Sequence, residues 1–173
     1  NVIIAMGSVC QTIEETIDNL ATLGEKNGLI EVHVYRPFSV EHLLKVMPET
    51  VKRIYVIDRT KEPGAVGEPL YQDVISAIRE SDFKDVDVFH GRYGLSSKNT
   101  TPQQIAAVFH NTRKKEFTIG INDDVTYYSL EDYNFYKELV SNKDLNTGVY
   151  ECKIWGLGGD GTVSANKNAI KII

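Results

Sequence analysis

The sequence predicts an α/β fold, an open and mostly parallel sheet with helices on both of its faces. Two observations carry that reading. Runs of strand length at residues 2–6, 54–58 and 86–91 alternate with segments of helical periodicity through roughly the first 120 residues. The strand-like runs are also mostly apolar rather than alternating, which is the pattern of strands covered from both sides.

The elements follow in order. Residues 2–6 form the first strand. After Gly7, Ser8 with Gln11 three residues later predicts a capping box, and Ile13, Ile17, Leu20 and Leu23 fall on one helical face. Asn27-Gly28 stops that helix. Residues 29–35 are β-rich and end at Arg36-Pro37, where proline blocks an interior strand. Ser39 caps a short helix carrying Val40, Leu43, Leu44 and Met47, and Pro48 limits it. Residues 54–58 then read as a buried strand and 59–67 as a loop. Pro69 suits the first turn of a helix whose core face is Leu70, Val74, Ala77 and Ile78. A strand at 86–91 precedes the clearest helix start, with Thr101 as N-cap, Pro102 at N1 and Gln104 at N3. Its core face is Ile105, Val108 and Phe109.

Beyond residue 121 the composition turns polar and tyrosine-rich, with Tyr127, Tyr128, Tyr133 and Tyr136. Residues 122–147 read as a tether containing a short helix over 129–140, its rings packing on its own domain and on neighbours. Residues 148–173 read as the first strand, glycine turn and helix of a second α/β domain. A strand and one helix cannot bury their faces alone, so the chain is expected to be a piece of a larger protein.

Composition narrows the function. A net charge of −5, with no basic face carrying interleaved aromatics, argues against nucleic acid as a partner. No secretory leader or long uncharged apolar run is present, so neither export nor a membrane span is expected. The two cysteines, Cys10 and Cys152, lack metal-ligand spacing and read as buried thiols of a reducing, cytoplasmic compartment.

The chemistry-bearing feature is Gly156-x-Gly158-Gly159-x-Gly161, close to the dinucleotide fingerprint and placed between a strand at 149–155 and a helix. Amides and the helix dipole at such a turn favour an anion, Thr162 adds a hydroxyl, and Lys167 and Lys171 add positive charge. A glycine turn that merely packs strand against helix is the plainer reading. The acidic ribose partner expected about twenty residues downstream would fall past Ile173. Arg59-Thr60-Lys61 and Arg92-Tyr93-Gly94 sit at strand ends, where open α/β sheets bind ligands, and arginine suits phosphate or carboxylate. Solvated or interface arginines would look the same. His33, His42, His90 and His110 show no paired metal spacing and read as structural. Neighbouring Glu14 and Glu15 diverge by about 100° around a helix and cannot converge on a substrate, and Asp123-Asp124 lies in the tether.

Several stretches, in order, together carry a resemblance. They are Ala5-Met6-Gly7-Ser8, Tyr35-Arg36-Pro37-Phe38, Val56-Ile57-Asp58-Arg59-Thr60-Lys61-Glu62-Pro63-Gly64-Ala65, Gly67-Glu68-Pro69-Leu70-Tyr71, Gly91-Arg92-Tyr93-Gly94-Leu95-Ser96-Ser97-Lys98 and Gly120-Ile121-Asn122-Asp123-Asp124-Val125-Thr126. The sequence thereby resembles the second domain of the pyruvate:ferredoxin (or flavodoxin) oxidoreductases. Trp155-Gly156-Leu157-Gly158-Gly159-Asp160-Gly161-Thr162-Val163 resembles the opening of that family's third domain, with Ser164 standing where the family pattern has glycine.

The resemblance implies a parent enzyme that decarboxylates pyruvate on thiamine diphosphate with Mg2+. Electrons would leave singly through [4Fe-4S] clusters to ferredoxin or flavodoxin, and the acetyl group would pass to coenzyme A in a homodimeric assembly. It also implies that this segment, whose fold is similar to the C-terminal domain of transketolase, is a scaffold without the catalytic centre. The thiamine site belongs to the first and sixth domains. The third domain is expected to move against coenzyme A, so Gly158, Gly159, Asp160, Gly161, Thr162, Asn166 and Lys167 are expected along that nucleotide's path. Arg59 and Arg92 are expected at domain–domain contacts. Two other readings stand beside it, a stand-alone nucleotide-binding module and a non-catalytic subunit that docks on a separate catalytic chain.

Overall fold

The computed structural model describes residues 1–121, 125–135, 154–155 and 161–170. The chain divides into two compact units, Asn1–Ser141 and Asn142–Ile173. In the first, the elements run β1 (Val2–Ala5), α1 (Val9–Thr22), β2 (Gly28–Glu31), α2 (Val40–Val46), β3 (Arg53–Asp58), α3 (Pro69–Arg79), β4 (Asp87–Arg92), α4 (Pro102–His110) and β5 (Glu116–Thr118). In the second, the described helix is α5 (Thr162–Ala169).

All pairings of the five-stranded sheet are parallel, in the order β2-β1-β3-β4-β5. Alternation along the strands builds a core on each face. Ile3, Ala5, Tyr55, Ile57, Phe89 and Phe117 face the side covered by α1 and α4, where Ile13, Leu20, Ile105 and Phe109 close over them. Val2, Ile4, Ile54, Val56 and Val88 face the side of α2 and α3, against Leu43, Met47, Leu70, Val74 and Ile78. Adjacent Ile3 and Ile4 are thus both wholly buried, in different cores. Each such side chain contributes about 1.5–3 kcal/mol, so a polar residue at either position would forfeit one core. Gly91 lets β4 and β5 come together, because a Cβ there would lie 2.2 Å from the Phe117 ring.

The expected face of α3 is the observed one, with Leu70, Val74, Ala77 and Ile78 buried and Pro69 at its first turn. The capping box at Thr101 and Gln104 forms on α4, and Ser39 accepts the His42 amide at the start of α2. The box expected at Ser8 does not form. Ser8 already has helical backbone angles and its side chain makes no cap bond, while the Cys10 amide turns back to the Gly7 carbonyl at 3.0 Å. β2 stops at Glu31, short of the expected 35. The Val32 amide takes the Ala5 carbonyl, β1 ends there, and the later residues have no ladder to join.

The expected helix over 129–140 is absent from its described part. Residues 128–135 instead form a strap that pairs with the end of β5 and then crosses to α4: the Thr118 amide donates to the Tyr128 carbonyl at 3.1 Å, the Leu130 amide to the Thr118 carbonyl at 2.9 Å and the Tyr133 amide to the Gln103 carbonyl at 3.1 Å. Leu130, Tyr133 and the wholly buried Phe135 pack into the α1/α4 core. Their burial fixes the strap in a form that a helix could not match to the edge of β5. Residues 136–140 lie outside the described part.

Candidate functional site

In an open α/β sheet the crevice outside the carboxyl ends of the strands, where strand order reverses, is the usual place for a ligand. Here the reversal falls between β1 and β3. A polar cavity of about 190 Å³ lies at this end, lined by Ser8, Thr12, Arg59, Tyr93, Gly94 and Lys98. Arg59 reaches across it, its Nε donating to the Gly94 carbonyl at 3.3 Å.

Around that crevice the charged groups hold one another. Asp58, buried at the end of β3, accepts the amides of Leu70 at 3.1 Å and Tyr71 at 3.3 Å, one on each carboxylate oxygen. It thereby satisfies the open N–H groups of α3, a task that the N-cap residue Glu68 does not perform. Burial nonetheless pushes the Asp58 carboxyl up to about 6, against those two hydrogen bonds. Glu68, only 1% exposed, accepts Arg92 Nη1 at 2.8 Å on Oε1 and the Glu62 amide at 2.7 Å on Oε2. Arg92 Nη2 donates to Glu116 at 2.8 Å. Burial alone would lower the Arg92 guanidinium, but its bonds with Glu68 and Glu116 outweigh this and raise it above its ordinary value. Arg92 also holds Glu116 below the usual carboxylate range, against the effect of burial.

Arg92 is therefore not at a domain–domain contact. At 6% exposure it is an internal clamp joining the start of α3 to β4 and β5. Little in the local sequence points to this, because both partners lie 24 residues from Arg92 along the chain. The one local signal is an acid, Glu68, beside the proline that opens a helix. Arg59 does remain exposed.

The histidines are engaged structurally. His110 stacks on Tyr133 with ring centroids 3.9 Å apart and lies 3.0 Å from Glu25, and His90 stacks on Tyr71 at 4.0 Å. His42 meets Ser39 at 2.7 Å and His33 lies 3.4 Å from Glu31. Cys10 is buried, and burial followed by the neighbouring Glu31 pushes its thiol up to about 12, far from a thiolate ligand or nucleophile. Cys152 lies outside the described residues. Among the described residues no helix is long and apolar enough to cross a membrane.

Of the residues expected on the nucleotide path, Gly158, Gly159 and Asp160 lie outside the described part, as do residues 149–153 of the expected strand. Gly161 is described, in the left-handed region at φ 80°, as the N-cap of α5, where glycine is the residue with least strain. Thr162 opens the helix, and Asn166 and Lys167 follow on its second turn. The helix expected after the glycine turn is thus present as Thr162–Ala169, while residues 154–155 of the expected strand are described and are not in a strand.

The strand order, the two helix layers and the polar crevice define an open, parallel α/β domain. Residues 1–105 match the family described as pyruvate:ferredoxin oxidoreductase core domain II. Similar proteins are the pyruvate:ferredoxin oxidoreductase of Moorella thermoacetica, 54% identical, and the pyruvate-flavodoxin oxidoreductase of Enterobacter agglomerans, 51% identical, each aligned over 99% of this chain and 14% of its own length. The pyruvate-flavodoxin oxidoreductase of Nostoc is 48% identical over 99% of the chain and 15% of the relative. The chain belongs to the pyruvate:ferredoxin oxidoreductase family, and it spans about one-seventh of the length of the relatives it matches.

Proposed function

We propose that the chain is an assembly segment of a longer enzyme that converts pyruvate and coenzyme A to acetyl-CoA and CO2, passing electrons to ferredoxin or flavodoxin. In this reading residues 1–121 are the second domain, 122–147 a tether and 148–173 the start of the third, in a cytoplasmic and homodimeric parent. The observation that carries the silent, structural role is the closed charge network at the strand ends. Asp58, Glu68, Arg92 and Glu116 are bonded to the fold itself, and none of the four lines the polar cavity at the strand ends.

Thiamine diphosphate, held with Mg2+ elsewhere in the parent, supplies the decarboxylation chemistry when bound. The iron–sulfur clusters do not fit this segment: a [4Fe-4S] cluster takes four thiolates, the sequence has two cysteines, and the Cys10 thiol is buried and hard to ionise. The direct check is turnover. The isolated chain, given pyruvate, thiamine diphosphate, Mg2+, coenzyme A and an acceptor, should release no CO2 under conditions where the full-length enzyme turns over; release by the chain alone would overturn the reading.

For the second unit we propose that Gly158, Gly159, Asp160, Gly161, Thr162, Asn166 and Lys167 line part of the coenzyme A path. Support comes from the left-handed glycine opening α5, whose first amides and dipole favour a phosphate, with Lys167 on the following turn. Lys167→Ala in the full-length enzyme should raise the KM for coenzyme A several-fold and leave that for pyruvate alone. An unchanged KM for coenzyme A would remove the lysine from the path.

A further inference from the structure

The two edges of the sheet are not finished alike. Along β5 the chain's own strap takes up the backbone of Thr118, and Lys114 Nζ adds bonds to the carbonyls of Tyr127 at 2.7 Å and Ser129 at 2.6 Å. Along β2 no such cover exists among the described residues, where β1 is its one strand partner. The amides of Gly28 and Val32 turn inward to β1, so by alternation along the strand those of Leu29 and Glu31 face outward. Natural edges are commonly covered or charged, because a bare edge is a template for another strand.

An apolar groove of about 480 Å³ lies at this edge, between β2 with its continuation and α2. Ile30, Val32, Val34, Phe38, Leu43 and Val46 line it, together with the polar groups of Glu31, His33, Ser39 and His42. Two of them stand well out of the fold, Val34 at 69% exposure and Val46 at 57%. Helix α2 thus turns Leu43 into the core and Val46 outward, presenting apolar surface on both sides.

We infer that this groove is the seat of an extended, apolar segment from the remainder of the parent polypeptide, added alongside β2. The occupant is set by two facts. About six-sevenths of the length of the similar proteins lies outside the region matched, so most of the parent is available to cover it. At the opposite edge the domain's own strap takes up Thr118, whereas among the described residues nothing covers β2, which leaves it the edge open to strand addition. Backbone bonds along β2 would give affinity, and the valine-lined groove would select aliphatic side chains. The inference rests on the reading of the chain as an assembly segment, and it moves the docking surface from Arg92 to the β2 edge.

The test is hydrogen–deuterium exchange of the wild-type full-length enzyme and of this chain alone, followed by peptides spanning residues 28–46. Exchange at 29–34 should be at least tenfold slower in the full-length enzyme, and Val34→Lys with Val46→Lys should abolish that protection while the isolated chain still folds. Equal exchange in the two wild-type proteins, or protection in the full-length enzyme that survives both lysines, would overturn it. Concentration-dependent dimerisation of the isolated chain, with 29–34 protected, would overturn it in favour of a second copy. Failure of the assembly reading is separately visible, since it would show as CO2 release by the isolated chain.

Discussion

At the β5 edge, Thr118 donates its amide to Tyr128 and accepts that of Leu130, and a wholly buried Phe135 anchors the strap that supplies them. At the β2 edge, alternate amides face outward beside Val34 and Val46, both mostly exposed. The two edges belong to one sheet with the same parallel pairing, so pairing geometry does not explain the contrast. What differs is the chain near each edge. Residues 130–135 bring Leu130, Tyr133 and Phe135, enough apolar area to order a strap against the core. Residues 32–38 turn apolar groups toward a groove that no described residue fills.

Removing the anchor of the closed edge should have the largest effect. Phe135→Ala should destabilise the first unit by about 3–5 kcal/mol in urea unfolding, the usual loss for a buried phenylalanine, and should speed amide exchange at Thr118 and Leu130. A loss below about 1 kcal/mol would mean that the strap merely lies on the surface.

The next effect leaves the edges equal. Asp58 sits at the end of β3, next to neither edge, and its carboxyl is pushed up to about 6 by burial. The folded state therefore holds a proton that the unfolded chain, titrating near 4, has released. Stability from this group is full below about pH 4 and is lost as pH rises toward 6, by up to about 3 kcal/mol. Unfolding at pH 4.5 and 6.5 should show that fall, it should be missing in Asp58→Asn, and amide exchange at both edges should rise together.

The smallest effect is expected at the open edge. Val34→Lys in the isolated chain should change stability by less than about 0.5 kcal/mol, since the side chain already meets water. A loss above about 1 kcal/mol would show that the chain itself covers Val34, and the contrast between edges would shrink accordingly.

Local chemistry was the legible part of the sequence. Four apolar residues at helical spacing placed the buried face of α3, and Thr101, Pro102 and Gln104 placed the start of α4, because each signal acts within a few residues. What the sequence hid depends on distance along the chain. β5 is three residues long, too short for any period to show, and the strap at its end takes its form from Leu130, Tyr133 and Phe135, which bury themselves against a core assembled from residues far upstream, so that its own sequence predicts a helix there instead. Arg92 looked like a ligand or interface arginine for the same reason. Its carboxylates come from the start of α3 and from β5, and no local pattern links them.

Amide exchange of the isolated chain, resolved residue by residue by NMR, tests the contrast between the edges most directly. Thr118 and Leu130 should be protected nearly as strongly as the central strand β3, while Leu29 and Glu31 exchange close to the rate of unstructured peptide. Comparable protection at both edges would contradict it, and would mean that the chain completes its own sheet.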